Sequence, residues 1–149
     1  MSGHDPMTRR EYAYFCVGGP GRHEDVTKVL DLRPSDAWNR GDPNPRNGKP
    51  LRSMSWRLKS DLDDTRSLRE HLDALILVLG SRESELRQLW RDYDLVISCV
   101  GRFPAWTCGA HLDRELVRQA ANLGLAFDFD FYCLGPRADE EDVARSGSV

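Results

Sequence analysis

Hydrophobic and polar positions along the chain follow two periods, and the mixture predicts an α+β fold. Four runs have the composition or the alternation of β-strands, at residues 12–19, 53–60, 94–101 and 127–132. In the second run Met54, Trp56 and Leu58 alternate with polar side chains, as in a strand with one face in water. The first and third runs are apolar on both faces. We therefore expect them at the centre of a sheet, with the second and fourth runs outside them.

Apolar residues at helical spacing fill the intervals between these runs. A short helix is predicted within residues 23–32, and a longer one begins at a capping box formed by Ser67 and Glu70. The longer helix should break near Gly80, after which a second helical piece reaches Tyr93. A last helix is predicted over residues 112–124, with Gly124 at its C-terminal cap.

A short repeat suggests how these elements are arranged. The sequence Cys-Val-Gly ends both the first and the third strand, at Cys16 and Cys99, and a helix and another strand follow each time. We therefore predict a two-layer α+β sandwich, a ferredoxin-like pair of βαβ units with a helical insert between strands two and three. Residues 11–134 form the single domain, residues 1–10 a flexible N-terminus and residues 135–149 a disordered acidic tail.

Composition and charge indicate which classes of partner the protein lacks. The chain has 149 residues and a formal net charge of −3. No run of basic residues suits nucleic acid, and no window reaches the roughly 18 apolar residues of a membrane span. The N-terminus lacks a signal-peptide pattern, and the four cysteines show no C-x-x-C spacing. We therefore expect a cytoplasmic protein with reduced thiols, without nucleic-acid or membrane partners.

Scattered residues in a fixed order resemble a known family. They are Tyr12-x-x-Phe15, Leu32-x-Pro34-x-x-x-Trp38-x-x-Gly41-Asp42, Ser55-Trp56 and Asp130-x-Tyr132. Over residues 12–134 the chain resembles the bacterial domain of unknown function DUF4279. The resemblance implies a bacterial origin and a shared fold, and it implies no catalytic role.

The motif FDFDFY raises the question of a metal site. Asp128 and Asp130 lie two residues apart on a predicted strand, so both carboxylates share one face and could hold magnesium or calcium. No third acid stands at a fixed spacing, and the phenylalanines at 127, 129 and 131 already explain the alternation as a half-buried strand. We therefore predict no metal and no cofactor.

Two further motifs are weaker. The sequence GGPGR, residues 18–22, follows a strand and precedes a helix, where phosphate loops occur, but it matches no phosphate-binding pattern and indicates a tight turn. Cys108 and His111 have half of a zinc spacing without a second pair nearby. A catalytic pair of cysteine and histidine stays possible, because such partners meet in space.

Aromatic and charged residues concentrate in and just after the long loop at residues 39–50. Such a mixture either binds proteins and planar anions or consists of two core-edge tryptophans beside solvated charges. Our leading hypothesis is a small non-enzymatic protein-binding module, of an immunity or regulatory type. The alternative is an enzyme or small-ligand-binding protein that uses the loop together with Asp128 and Asp130. The loop candidates are Trp38, Arg40, Asp42, Lys49, Trp56 and Arg57.

Overall fold

The computed structural model describes residues 8–135 of the chain. This part contains five strands and four helices, which confirms the α+β class. The elements are β1 (Arg10–Gly18), α1 (His23–Leu30), β2 (Asp36–Trp38), β3 (Ser55–Lys59), α2 (Leu68–Gly80), α3 (Glu83–Leu89), β4 (Asp94–Phe103), α4 (Arg114–Asn122) and β5 (Ala126–Cys133). The predicted tail and most of the predicted N-terminus lie outside the described residues, and β1 already begins at Arg10.

The five strands form one sheet in the order β2-β3-β1-β4-β5. β1 and β4 are central neighbours, as the apolar composition of the first and third runs predicted. Cys16 and Cys99 therefore lie on adjacent strands, with Cys16 opposite Val96 and Ala13 opposite Cys99. β2 was not predicted, because three residues are too short to show an alternation.

The strand directions differ from the prediction in the first half of the chain. β3, the second predicted strand, pairs antiparallel with β1 instead of running parallel to it. β2 pairs antiparallel with β3, so β2 and β1 are parallel and β1-α1-β2 is a split βαβ unit around β3. β4 and β5 are parallel neighbours joined through α4. The ferredoxin-like arrangement of the four predicted strands is therefore not confirmed, because the unpredicted β2 takes the parallel position.

The helices pack against one face of the sheet. Every second residue of β1, including Phe15 and Val17, is buried there with Ile97 of β4. Apolar residues of all four helices, such as Leu75 and Leu116, join them in one hydrophobic cluster. The predicted second layer is therefore present, and α2 and α3 form the predicted helical insert between β3 and β4.

Local signals in the sequence account for the helix ends. The Ser67 hydroxyl accepts the Glu70 backbone N–H and the Glu70 side chain accepts the Ser67 N–H, so the predicted capping box starts α2. Gly124 follows α4 with a φ of 72°, where the Trp90 indole packs against it and donates to the Leu123 carbonyl at 2.9 Å. A side chain at position 124 would collide with that ring.

Candidate functional site

The face of the sheet opposite the helices carries half of the predicted candidate residues, four of the eight. Paired residues in neighbouring strands share a face, so the register assigns every second residue to this side. We call this surface the open face. Its aromatic, polar and charged members are Asp36, Trp38, Ser55, Arg57, Lys59, Arg10, Tyr12, Tyr14, Cys16, Asp94, Ser98, Arg102, Asp128, Asp130 and Tyr132.

Arg57 lies between two aromatic rings on the open face. Its guanidinium carbon is 4.7 Å from the centre of the Trp38 ring and 5.0 Å from the centre of the Tyr14 ring. Its Nε donates to the Ser55 hydroxyl at 3.2 Å, and that hydroxyl is 3.4 Å from the Cys16 sulfur. Strands β2, β3 and β1 each supply part of the group, so pairing of the strands holds a cation between π systems.

Trp56 lies on the opposite side of the same strand. Its side chain is completely buried, and its indole N–H donates to the Thr27 hydroxyl of α1 at 2.9 Å. The ring packs edge-on against Phe15. The structure thus places Trp56 in the core, where it anchors α1 to the sheet, and leaves Trp38 and Arg57 on the surface.

The long loop is held by a residue that we did not single out from the sequence. Asn39 is buried, and its side chain makes both contacts. The side-chain oxygen accepts the backbone N–H of His23 at 2.9 Å, and the side-chain NH₂ donates to both carboxylate oxygens of Glu24. It therefore caps the first turn of α1 from across the chain. The bond from Asn39 lowers the pKa of Glu24 to about 2. No local sequence pattern predicts a capping residue that lies sixteen residues from the helix end.

The predicted loop candidates surround this anchor. Asp42 accepts the Asn39 backbone N–H at 2.7 Å, and Arg40 and Lys49 are exposed. Backbone bonds between Leu51 and both Gly41 and Asp42 close the loop on itself. Asp42 thus helps to hold the loop, while the side chains of Arg40 and Lys49 are exposed to solvent beyond the end of β2.

Asp128 and Asp130 are exposed on the open face of β5, as the alternation predicted. The Tyr132 hydroxyl donates to Asp130 at 3.1 Å, and this bond raises the pKa of Tyr132. Within residues 8–135 no three histidine, cysteine or acidic side chains are grouped so that they could hold a metal ion. Asp128 and Asp130 therefore face solvent on the strand at the end of the sheet.

The two predicted groups of residues do not meet. Trp38 is in β2 and Asp130 is in β5, at opposite ends of the sheet. Four spacings between neighbouring strands separate them, which amounts to about 19 Å. A single small-molecule pocket cannot include both groups.

Two glycines of GGPGR, Gly19 and Gly21, let the Tyr93 ring pack closely against this loop. The Tyr93 ring lies so close to the loop that a Cβ at Gly19 or Gly21 would come within 2.6 Å or 2.0 Å of its atoms. The first N–H of α1, where a phosphate would bind, is already taken by Asn39. The interpretation of these residues as a tight turn agrees with this geometry.

The expectation of four thiols is wrong for two cysteines. Cys108 and Cys133 form a disulfide across 25 residues. Their distance in sequence concealed the contact, but the register sets Phe103 beside Cys133, so the loop after β4 starts next to the end of β5. As a disulfide, Cys108 cannot serve as a zinc ligand or as a nucleophile paired with His111. Cys16 and Cys99 are free, and burial raises the pKa of Cys99 to about 12.

Concave surfaces occur on the helical side. One cavity of about 460 Å³ lies between α2 and α4, beside Ile76, Leu77 and Gln119. Another, of about 420 Å³, lies at the start of α3 beside Ser84 and Arg87. None of the predicted candidate residues lines either cavity.

Comparison with known proteins places the chain in a family. In the described part, no helix is both long and apolar enough to cross a membrane. No curated protein and no solved structure matches the chain. A family profile described as "Domain of unknown function (DUF4279)" matches residues 10–134, the whole span from β1 to the end of β5. The chain therefore belongs to the DUF4279 family.

Proposed function

We propose that this chain is a non-enzymatic protein-binding module, regulatory or of an immunity type, and that the open face contacts its partner. The observation that carries the proposal is the Arg57 guanidinium held between Trp38 and Tyr14, on the face of the sheet that the helices of the described residues leave uncovered. Tryptophan, tyrosine and arginine are the residue types that dominate binding energy at protein interfaces.

The preorganisation of this group favours binding over a purely structural role. Ordering a long side chain costs about 0.5–1.5 kcal/mol on association. Arg57 is already oriented by two rings and by Ser55, so most of that cost is absent when a partner arrives. Farther along the face, Tyr12 and Tyr132 expose 41% and 48% of their surface and extend the aromatic area.

The alternative of an enzyme or small-ligand site has less support. It required the long loop to join Asp128 and Asp130 in one concave site, and the width of the sheet separates them. A partner protein can span such a distance, since typical interfaces cover about 800 Å² on each side. The disulfide weakens the expectation of a reducing environment.

Cys16 provides a direct test of the proposal. It is the half-exposed free thiol of the open face, whereas Cys99 is buried and Cys108 and Cys133 are paired. A thiol-directed photocrosslinker should therefore attach to Cys16 alone. The matched control carries Cys16→Ser and Gln88→Cys, which moves the probe to the exposed side of α3.

Cross-linking in extracts of the source organism should yield one discrete adduct from Cys16 and none from position 88. The Arg57→Ala variant should lose that adduct. The Arg87→Ala variant should retain it, because Arg87 makes a similar contact with Trp90 on the helical side, 5.6 Å from the ring centre. Equal adducts from both probe positions, or an adduct indifferent to Arg57→Ala, would contradict the proposal.

A further inference from the structure

The outer edge of β5 is a strand edge without a partner among the described residues. β5 is the last strand of the sheet and pairs over eight residues with β4 alone. Its alternate backbone N–H and C=O groups therefore point away from the sheet, ready to pair with another strand. At the opposite end, β2 has three residues, and the closed loop that follows it leaves little edge to extend.

The two faces of this edge differ in chemistry. On the helical side, Phe127, Phe129 and Phe131 form a row of rings with centres 6.1 Å and 5.6 Å apart. Phe129 remains 49% exposed, so the helices do not cover the row completely. On the open face, Asp128 and Asp130 alternate with the rings and are exposed.

We propose that the β5 edge binds an extended segment of a partner protein in which basic and apolar side chains alternate, a proposal that rests on the protein-binding function above. Strand addition supplies main-chain hydrogen bonds, and side-chain alternation supplies specificity. Basic residues on one face of the added strand lie beside Asp128 and Asp130, and apolar residues on its other face cover Phe129. Opposite charges on neighbouring strands stabilise their pairing.

The same charges argue against a second copy as the occupant. An antiparallel pair of β5 strands centred on Phe129 would set Asp128 of one copy opposite Asp130 of the other. Centred on Asp130, it would set that residue opposite itself, and like charges in opposed positions destabilise pairing. The chain's own residues 136–149 carry four acidic and two basic residues, so their charge is also unsuitable.

Capped peptides of the length of β5 test the proposal on the full chain. The first alternates lysine and valine, and the second has glutamate in place of lysine. Two further lysine peptides are N-methylated along one strand edge or along the other. Fluorescence anisotropy should show the lysine peptide binding about tenfold or more tightly than the glutamate peptide. At least one N-methylated peptide should lose about tenfold or more, because its edge can no longer donate to β5.

Charge reversal supplies the matched control. The Asp128→Lys, Asp130→Lys variant should prefer the glutamate peptide, and the milder Asp128→Asn, Asp130→Asn variant should lose the preference if the first fails to fold. Unchanged binding of both N-methylated peptides, or equal binding of lysine and glutamate peptides, would overturn the proposal. So would a concentration-dependent dimer of the chain alone that excludes the peptide. In these cases an adduct from Cys16 that depends on Arg57 would still uphold the open face as the interface.

Discussion

At the residue scale, Phe129 shows how position in the sheet changes the meaning of a pattern. The alternation of FDFDFY suggested that its ring points into the core, with a cost of about 3–5 kcal/mol on truncation. The structure leaves the ring 49% exposed, because β5 is an edge strand. We now expect Phe129→Ala to cost about 1–2 kcal/mol, and Phe15→Ala, at a fully buried position of β1, about 3–5 kcal/mol. Urea denaturation measures both values, and equal losses would contradict this account.

His71 is a buried polar residue whose bonding is incomplete. Its side chain is fully buried in α2, its Nδ1 is 2.5 Å from the Ser60 hydroxyl, and its Nε2 has no hydrogen-bond partner within residues 8–135. An unsatisfied buried polar group costs about 1–3 kcal/mol. We therefore expect His71→Leu to leave the free energy of unfolding unchanged or raise it by up to about 1 kcal/mol. Leu72→Ala, at the next position, should lower it by about 2–5 kcal/mol in the same assay. A comparable loss for His71→Leu would show that the imidazole contributes more than the structure indicates.

At the element scale, Asn39 links the long loop to the first turn of α1. Replacing it with alanine removes the acceptor of the His23 N–H and the donor to Glu24. We expect Asn39→Ala to lower the free energy of unfolding by about 1–3 kcal/mol. Asn47→Ala is the matched control, since Asn47 is exposed in the same loop and its side-chain oxygen accepts the Lys49 N–H, and it should cost less than about 1 kcal/mol. Similar losses in chemical denaturation would refute the special role of Asn39.

The disulfide joins the loop after β4 to the end of β5. A bridge across 25 residues restricts the unfolded chain and stabilises the fold by about 3 kcal/mol. A reducing agent should therefore lower the melting temperature of the unaltered protein. The Cys108→Ser, Cys133→Ser variant should melt at the lower temperature with or without the agent. A melting temperature that stays the same on reduction would show that the disulfide does not contribute to stability.

At the scale of the whole molecule, acid should weaken the fold through two carboxylates. The bond from Asn39 lowers the pKa of Glu24, and the bond from Arg66 lowers the pKa of Glu70, each from 4.5 to about 2. A depressed pKa in the folded state contributes stability above the unfolded value, and that stability is lost as the pH falls towards the folded value. We therefore expect the melting temperature to fall between about pH 5 and pH 2. The Glu24→Gln, Glu70→Gln variant should show a shallower fall in this window, and an identical slope would contradict the assignment.

Much of the architecture could be read from local patterns. The capping box at Ser67 and Glu70 and the C-terminal cap at Gly124 were predicted, because a helix end depends on residues within a few positions of it. The wet face of β3 with Arg57 and the dry face with Trp56 follow from a period of two. The central position of β1 and β4 followed from their composition.

Local patterns could not predict contacts between residues that are far apart in the sequence. The cap from Asn39, the Cys108–Cys133 disulfide and the position of β2 depend on how the chain returns to itself. The candidate residues form two separate groups for the same reason. The sequence allowed Trp38 and Asp130 to share one site, but their strands lie at opposite ends of the sheet.

By itself, the sequence determined the α+β class, the helix ends, the central strands and the faces on which Arg57 and the acids of β5 lie, since these depend on local spacing and periodicity. The tertiary structure alone decided that Arg57 stacks between Trp38 and Tyr14, that Phe129 remains half exposed and that no other strand of residues 8–135 pairs with the outer edge of β5. These features depend on the order and direction of the strands. The alternation of polar and apolar residues predicts which side chains share a face of a strand, but only the pairing of the strands shows which strand lies at the edge of the sheet.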